Sequence, residues 1–145
     1  MKITKKIDRA IQETEVHIYS NNSNEIETIV NALNSLEKIL ICSYDKNIVQ
    51  IRWSEILYFD SVDKKTFAYT NNDIYDVDEK LYQLEESMPK EFIRCSKSSI
   101  INLSHVKKFN STIGPRLEAV MTNNEKIIVN RHYLQQLKLK LNGGI

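Results

Sequence analysis

The apolar positions change period twice along the chain, and each change marks a different kind of element. Ile26, Ile29, Val30, Leu33 and Leu36 recur on one helical face, with Asn22 and Glu25 at capping-box spacing, so an amphipathic helix of about three to four turns is predicted. Before it, residues 1–14 are polar without a sustained period and read as an arm or short strand, while Val16, Ile18 and the flanking His17 and Tyr19 suggest a strand ended by Ser20-Asn21-Asn22-Ser23. A strand over residues 38–44 follows the helix. The first 44 residues are thus expected to form a strand-helix-strand unit that regulates, dimerises or completes the core.

From Asp45 the period falls to two. Ile48, Gln50 and Arg52 alternate with Val49, Ile51 and Trp53, and Ile56 and Tyr58 with Leu57 and Phe59. Asp63-Lys64-Lys65 and Asn71-Asn72-Asp73 separate strands ending near Ser61, over residues 66–70 and over residues 74–77, which predicts sequential hairpins. Asp78 is placed to cap a short helix carrying Leu81, Leu84 and Met88, stopped by Pro89. Further strands are expected from Val106 to Ile113, before a Gly114-Pro115 break, around residues 117–121, and over residues 126–129 after the turn Asn123-Asn124. Tyr133, Leu134, Leu137 and Leu141 then share one face of a terminal helix that Asn130 can cap and Gly143-Gly144 ends.

One stretch departs from this regularity. Between the apolar pairs Phe92-Ile93 and Ile100-Ile101 lies Arg94-Cys95-Ser96-Lys97-Ser98-Ser99, two cations and three hydroxyls with almost nothing to bury. A segment anchored at both ends presents its donors rigidly, and their natural counterpart is an anion. Arg131 and His132 stand at a second such place, a strand-to-helix junction where backbone donors also favour anions.

The pattern Phe-x-Arg-Cys-x-Lys-Ser-x-Ile-Ile-Asn from Phe92, followed by Val-Asn-Arg-His-Tyr from Val129, resembles the LytTR family of bacterial DNA-binding domains over roughly residues 45–141. The resemblance implies a mainly β fold with α: elongated, mostly antiparallel β-sheets with short helices, here preceded by the N-terminal strand-helix-strand unit. It implies sequence-specific binding of double-stranded DNA by loops inserted into the major groove, and regulation of transcription. Residues 45–145 would be the DNA-binding domain. Because fewer than 50 residues precede the β body, against the ~120 of a receiver domain, the protein is expected among stand-alone members.

The resemblance assigns DNA contact to Lys64, Lys65, Ser96, Lys97, Ser98, Asn130, Arg131 and His132. Arg131 is the first choice for base readout, since arginine can pair bidentately with guanine O6 and N7. Lys97 can touch a base or a phosphate. Lys64 and Lys65 read equally well as a charged loop tip. Arg94 suits packing or a structural hydrogen bond as well as phosphate contact, and Asn102 is expected to fix the loop through the backbone. Ser96-Lys97 stands where most members have His-Arg, so base preference there does not carry over. Lys107, Lys108 and Arg116 could broaden the positive face, whereas Lys138 and Lys140 read as the solvated edge of the last helix.

Charge agrees with this placement. The net of +1 over 145 residues conceals 11 Lys/Arg against 17 Asp/Glu up to Ile93, a net of −6, and 9 against 2 thereafter, a net of +7. A polyanion facing the C-terminal part accounts for such a split. The three histidines lack metal-ligand spacing, and no Gly-rich phosphate loop or nucleophile elbow occurs, so neither a cofactor nor a metal nor an enzymatic activity is expected. Cys42 and Cys95 read as reduced thiols of a cytoplasmic protein, and no apolar run reaches the ~18 residues of a membrane span.

An RNA-binding or protein-interaction module using the same basic loops is the alternative function, weakened by the lack of an aromatic residue within 94–99 on which bases could stack. Self-association on repeated half-sites is expected, and the resemblance implies a possible inhibitory membrane protein encoded nearby.

Overall fold

The computed structural model describes residues 1–112, 114 and 116–142; Ile113, Pro115 and the terminal Gly143-Gly144-Ile145 lie outside the described residues. Its elements are α1 (Ser23–Glu37), β1 (Ile39–Tyr44), β2 (Asn47–Arg52), β3 (Tyr58–Val62), β4 (Lys65–Tyr69), β5 (Ile74–Val77), α2 (Leu81–Ser87), β6 (Phe92–Arg94), β7 (Ser99–Asn102), β8 (Val106–Ser111), β9 (Leu117–Met121), β10 (Lys126–Val129) and α3 (Arg131–Asn142). Single-turn 3-10 helices at Trp53–Glu55 and Leu103–His105 interrupt the strands. Seven strands form one sheet in the order β2-β1-β5-β4-β3-β7-β6, and three form a second in the order β10-β9-β8. Every pairing is antiparallel.

Two-residue turns set the hairpin registers. Asp45-Lys46 and Asp63-Lys64 each hold two consecutive positive φ angles, 48° and 65°, then 51° and 66°. That is the geometry whose twist matches paired strands, and the aspartates tolerate it better than most side chains. Lys65 consequently opens β4 opposite Val62 instead of lying in the loop. Asn124 takes the left-handed position of the β9–β10 turn (φ 70°). The second helix starts two residues later than Asp78 would dictate: the Lys80 amide donates to Gln83 Oε1 (2.8 Å) and the Lys80 carbonyl receives the first helical bonds. Met88 is extended, as a residue before proline must be, and α2 stops.

The large sheet is buried on both faces where it carries the basic loop. Ile100 belongs to a core with Trp53, Phe59, Phe92 and Leu84 of α2, whereas its neighbour Ile101 belongs to a second core with Leu57, Met121, Val129 and Leu137 of α3. Alternation along β7 sends adjacent side chains to opposite faces, so the pair Ile100-Ile101 pins one strand to both cores. Trp53 packs edge-on against Phe92 at 5.2 Å, and Tyr58 stacks on Tyr69 at 4.3 Å. Buried Asn102 fixes the far end of β7, donating from Nδ2 to the Ile56 carbonyl (2.9 Å) and accepting from the Ser104 amide.

The N-terminal region differs from the expected strand-helix-strand unit. The helix forms, and the Asn22 side chain accepts from the Asn24 amide at its start, while Glu25 accepts from Ser20. No strand forms over residues 16–19, since none of the described residues pairs with them, and Val16 and Tyr19 are exposed. The following strand, β1, lies inside the large sheet between β2 and β5, with Leu40 and Cys42 in the first core. The β1–β2 hairpin therefore crosses the division expected after residue 44. Lys140 also departs from expectation: it is half-buried, donates to the carbonyls of Lys90 and Phe92 (2.8 and 2.7 Å), and ties α3 to β6.

Candidate nucleic-acid interface

The loop between β6 and β7 is closed by its own main chain. The Cys95 amide donates to the Ser99 carbonyl at 3.0 Å, and Ser96 Oγ accepts from the Ser98 amide at 3.2 Å. Ser96 is thus buried and shapes the loop, whereas Lys97 and Ser98 project from it exposed. Arg94 completes the closure: Nε donates to the Ser96 carbonyl and Nη2 to the Lys97 carbonyl, both at 2.6 Å, while Nη1 meets the Glu85 carboxylate of α2. Charge-assisted bonds of this kind hold the turn firmly, and they consume the guanidinium inside the protein. Glu85 has no signal in the sequence, since its partner comes from a separate element and only the fold brings them together.

Two further backbone bonds gather the other candidates. The Ser61 amide donates to the Ser98 carbonyl at 2.8 Å, which places the β3–β4 turn, with exposed Lys64 and Lys65, at the same end of the sheet as Lys97. Lys80 Nζ donates to the Lys64 carbonyl and buttresses that turn. From the second sheet, the Asn130 amide donates to the Cys95 carbonyl at 2.8 Å. The Asn130 carbonyl in turn accepts from the amides of Tyr133 and Leu134, so the residue begins α3 through its backbone. Arg131 and His132 lie exposed at that helix start, His132 edge-on to Tyr133 at 4.8 Å. All eight residues named from the sequence therefore lie around one end of the large sheet, seven with accessible surface and Ser96 inside.

A groove of about 400 Å³ separates the Ser96–Ser98 side from β10, lined by Tyr58, Asp60, Ser98, Glu125, Lys126 and Asn130. Burial, reinforced by Glu125, pushes the Tyr58 hydroxyl up to about 12, so it stays a neutral donor. Asp60 accepts from Ser99 Oγ at 3.3 Å. Two carboxylates, Asp60 and Glu125, thus line the groove together with the Lys126 ammonium. Such carboxylates repel phosphate but accept hydrogen bonds from exocyclic amino groups. Sequence reasoning missed Asp60 and Glu125, which sit on a strand and in a turn with no local motif.

With the geometry in place, comparison with known proteins is decisive. The model of the LytTr DNA-binding domain matches residues 46–142. The chain belongs to the LytTR family. Its relatives include proteins described as uncharacterized HTH-type transcriptional regulators in Staphylococcus aureus: those of strains MSSA476 and MW2 are each 29% identical over 97% of this chain and 98% of their own length. Among solved structures, the LytTr DNA-binding domain of a putative methyl-accepting/DNA response regulator from Bacillus cereus superposes with a TM-score of 0.69 at 24% identity, over 72% of this chain and 97% of that one. That likeness establishes the LytTR fold of mostly antiparallel sheets. Strands separate α1, α2 and α3, so no helix-turn-helix occurs among the described residues. No helix among them is long and apolar enough to cross a membrane.

Proposed function

We propose that this LytTR protein regulates transcription by binding double-stranded DNA sequence-specifically, with three loops entering the major groove from one end of the large sheet. The observation that carries this reading is the pair of backbone bonds, Ser61 to Ser98 and Asn130 to Cys95, which brings three separate basic segments together. Arg131 is the base-reading residue, at a helix start whose dipole favours the nearby phosphates. Lys97, Lys64 and Lys65 hold the backbone or adjacent base edges, and Ser98, Asn130 and His132 supply short-range donors. Ser96 contributes by holding the loop in shape.

In this reading the protein works in the cytoplasm and occupies paired half-sites spaced by about 10 to 10.5 base pairs, one helical turn. A small membrane protein that restrains it is proposed on the family resemblance alone. The DNA-binding unit begins at β1 instead of after it, since Leu40 and Cys42 are core residues. Gel-shift titration of duplex DNA from the protein's own upstream region, with RNA and single strands as competitors, tests the reading. Duplex-specific retention is expected; equal competition by RNA or single strands would replace DNA by a single-stranded ligand.

A further inference from the structure

Residues 1–22 carry no helix or strand, and residues 1–17 are exposed throughout. Exposure is ordinary for the polar residues of this segment but not for its isoleucines. Ile3, Ile7 and Ile11 stand 69%, 91% and 48% exposed and belong to neither core. They recur at every fourth position, the spacing of one helical face. At about 100° of turn per residue they and Ala10 would share an arc of about 100°, with Lys2, Lys5, Lys6 and Arg9 on the opposite side. The segment holds neither Gly nor Pro, and up to Ile11 only Asp8 offsets the four cations.

The chain itself leaves this pattern unused. The four cations form no ion pair with any described residue. Asp8 makes a local turn in place of a helix, its Oδ1 accepting from the Ala10 amide at 3.0 Å and its carbonyl from the Ile11 amide at 3.3 Å. In water an isolated helix of about 12 to 15 residues is marginal, so such a segment becomes helical only where its apolar face is covered. Charge indicates what covers it. Residues 12–93 hold 7 Lys/Arg against 16 Asp/Glu, so the basic start is a local feature within an acidic half. A DNA duplex would take the cations at its phosphates and leave three isoleucines in water. A lipid surface with anionic headgroups takes both at once, isoleucines beneath the headgroups and cations level with them.

We propose that residues 1–14 fold as an amphipathic helix on an anionic lipid surface and tether the protein there, with Ile3, Ile7 and Ile11 in the apolar layer and Lys2, Lys5, Lys6 and Arg9 on the headgroups. The helix lies in the surface and does not span it, which suits so short a segment. Residues 15–22 connect it to α1. A fraction of the protein held on lipid is withdrawn from DNA by mass action, so lipid charge would set how much regulator is free. The tether stands apart from the DNA-binding reading, since none of its residues belongs to the three basic loops.

Co-sedimentation of the full chain with vesicles of phosphatidylglycerol and phosphatidylcholine in equal parts, against vesicles of phosphatidylcholine alone, tests the inference, with circular dichroism read on the same samples. Retention on the mixed vesicles only, with a gain in helix, is expected. Ile7→Gln removes the central apolar contact at unchanged charge, and Asp8→Pro breaks the helix while removing the only carboxylate up to Ile11. Neither position lies in a helix or strand, so the body stays folded. Each variant is expected to weaken retention ~10-fold or more, Asp8→Pro in spite of its higher positive charge. No retention of the parent chain overturns the proposal, as does retention without a gain in helix, equal retention on both vesicles, or retention indifferent to either substitution. Indifference would place the lipid contact on the basic loops. Variants that lose affinity for random duplex while vesicle retention holds would assign the segment to DNA and overturn the proposal too. Gel-shift titration of specific duplex, expected to be unchanged in both variants, reports separately on DNA binding, so its failure would count against that function and not against the tether.

Discussion

The Asn130 amide donates to the Cys95 carbonyl at 2.8 Å, and this bond joins the second sheet to the basic loop of the first. Asn130→Pro removes the donor while keeping a residue that follows an extended strand and precedes a helix, both positions proline accepts. The Cys95 carbonyl then loses a partner in a buried setting, at a cost of about 1 to 3 kcal/mol. A lower melting temperature is expected together with a weaker preference for the specific site, read by binding isotherms on specific and random duplexes. An unchanged preference would detach the two segments functionally.

Arg131 and the lysines should separate by type of contact. Arg131→Ala is expected to cost about 1 to 3 kcal/mol on the specific site and much less on random DNA. Lys97→Ala and Lys65→Ala, if the lysines meet phosphates, weaken both DNAs alike and lower the salt slope by roughly one unit each. Isotherms at several salt concentrations distinguish the two behaviours. Should Arg131→Ala weaken both DNAs equally in a folded protein, base readout belongs elsewhere.

Arg94 offers a contrasting case, because its guanidinium faces inward to Ser96, Lys97 and Glu85. Arg94→Ala releases two loop carbonyls and is expected to lower stability by about 1.5 to 3 kcal/mol, the range for bonds to charged groups, and to weaken specific binding through the loosened loop. The salt slope should stay as in the parent protein, since no phosphate contact is lost. Glu85→Gln, which keeps the shape but removes the charge, should follow in the same direction to a smaller extent. A fall of one unit in the salt slope of Arg94→Ala would instead put this arginine on the DNA.

Alkaline pH should destabilise the fold through its buried thiols. Burial pushes Cys42 and Cys95 from 9.0 up to about 12, with Arg94 partly opposing this at Cys95. The folded pKa lies above the unfolded one, so the stabilisation is fully present below about pH 9 and is lost progressively as pH rises toward 12. Tyr58 acts in the same sense, whereas Lys140, lowered by its burial, acts in the opposite one. Urea unfolding across that range should show a falling midpoint, with a shallower fall in Cys42→Ala. A flat profile would mean that the thiols ionise freely in the folded state.

Two truncations test where the folded unit begins. Removal of residues 1–22, which carry no helix or strand, should leave specific binding to a single half-site intact. Removal of residues 1–44 takes Leu40 and Cys42 out of the first core and strips β2 of its partner. Loss of a buried leucine alone costs about 2 to 5 kcal/mol, so the longer deletion should unfold or nearly unfold the protein by circular dichroism. Equal stability of the two fragments would refute the assignment of β1 to the core.

What the sequence conveyed was local. Period two with Asp63-Lys64-Lys65 and Asn71-Asn72-Asp73 marked the hairpins after β3 and β4, because turn residues and side-chain alternation are written in neighbouring positions, whereas the β1–β2 turn at Asp45-Lys46 reads in the sequence as a boundary. The motif residues were legible through the family resemblance, and the structure gathers them at one end of the sheet. The interior role of Ser96, the Arg94–Glu85 pairing and the anchoring of Lys140 were not legible, since each depends on carbonyls or carboxylates brought close by strand order. The strand expected at residues 16–19 shows the limit from the other side: alternation signals readiness to pair, and pairing needs an edge within reach.

Lys97 occupies an unusual position in the loop it tips. The bonds that hold that loop engage the Lys97 carbonyl, the Ser96 hydroxyl and neighbouring main-chain groups, while its own side chain stands in solvent. A substitution at 97 can therefore leave the mount undisturbed. On the proposed reading, randomising position 97 together with 131 should vary target preference while folding yield stays nearly constant, a starting point for redirecting the protein to new operators.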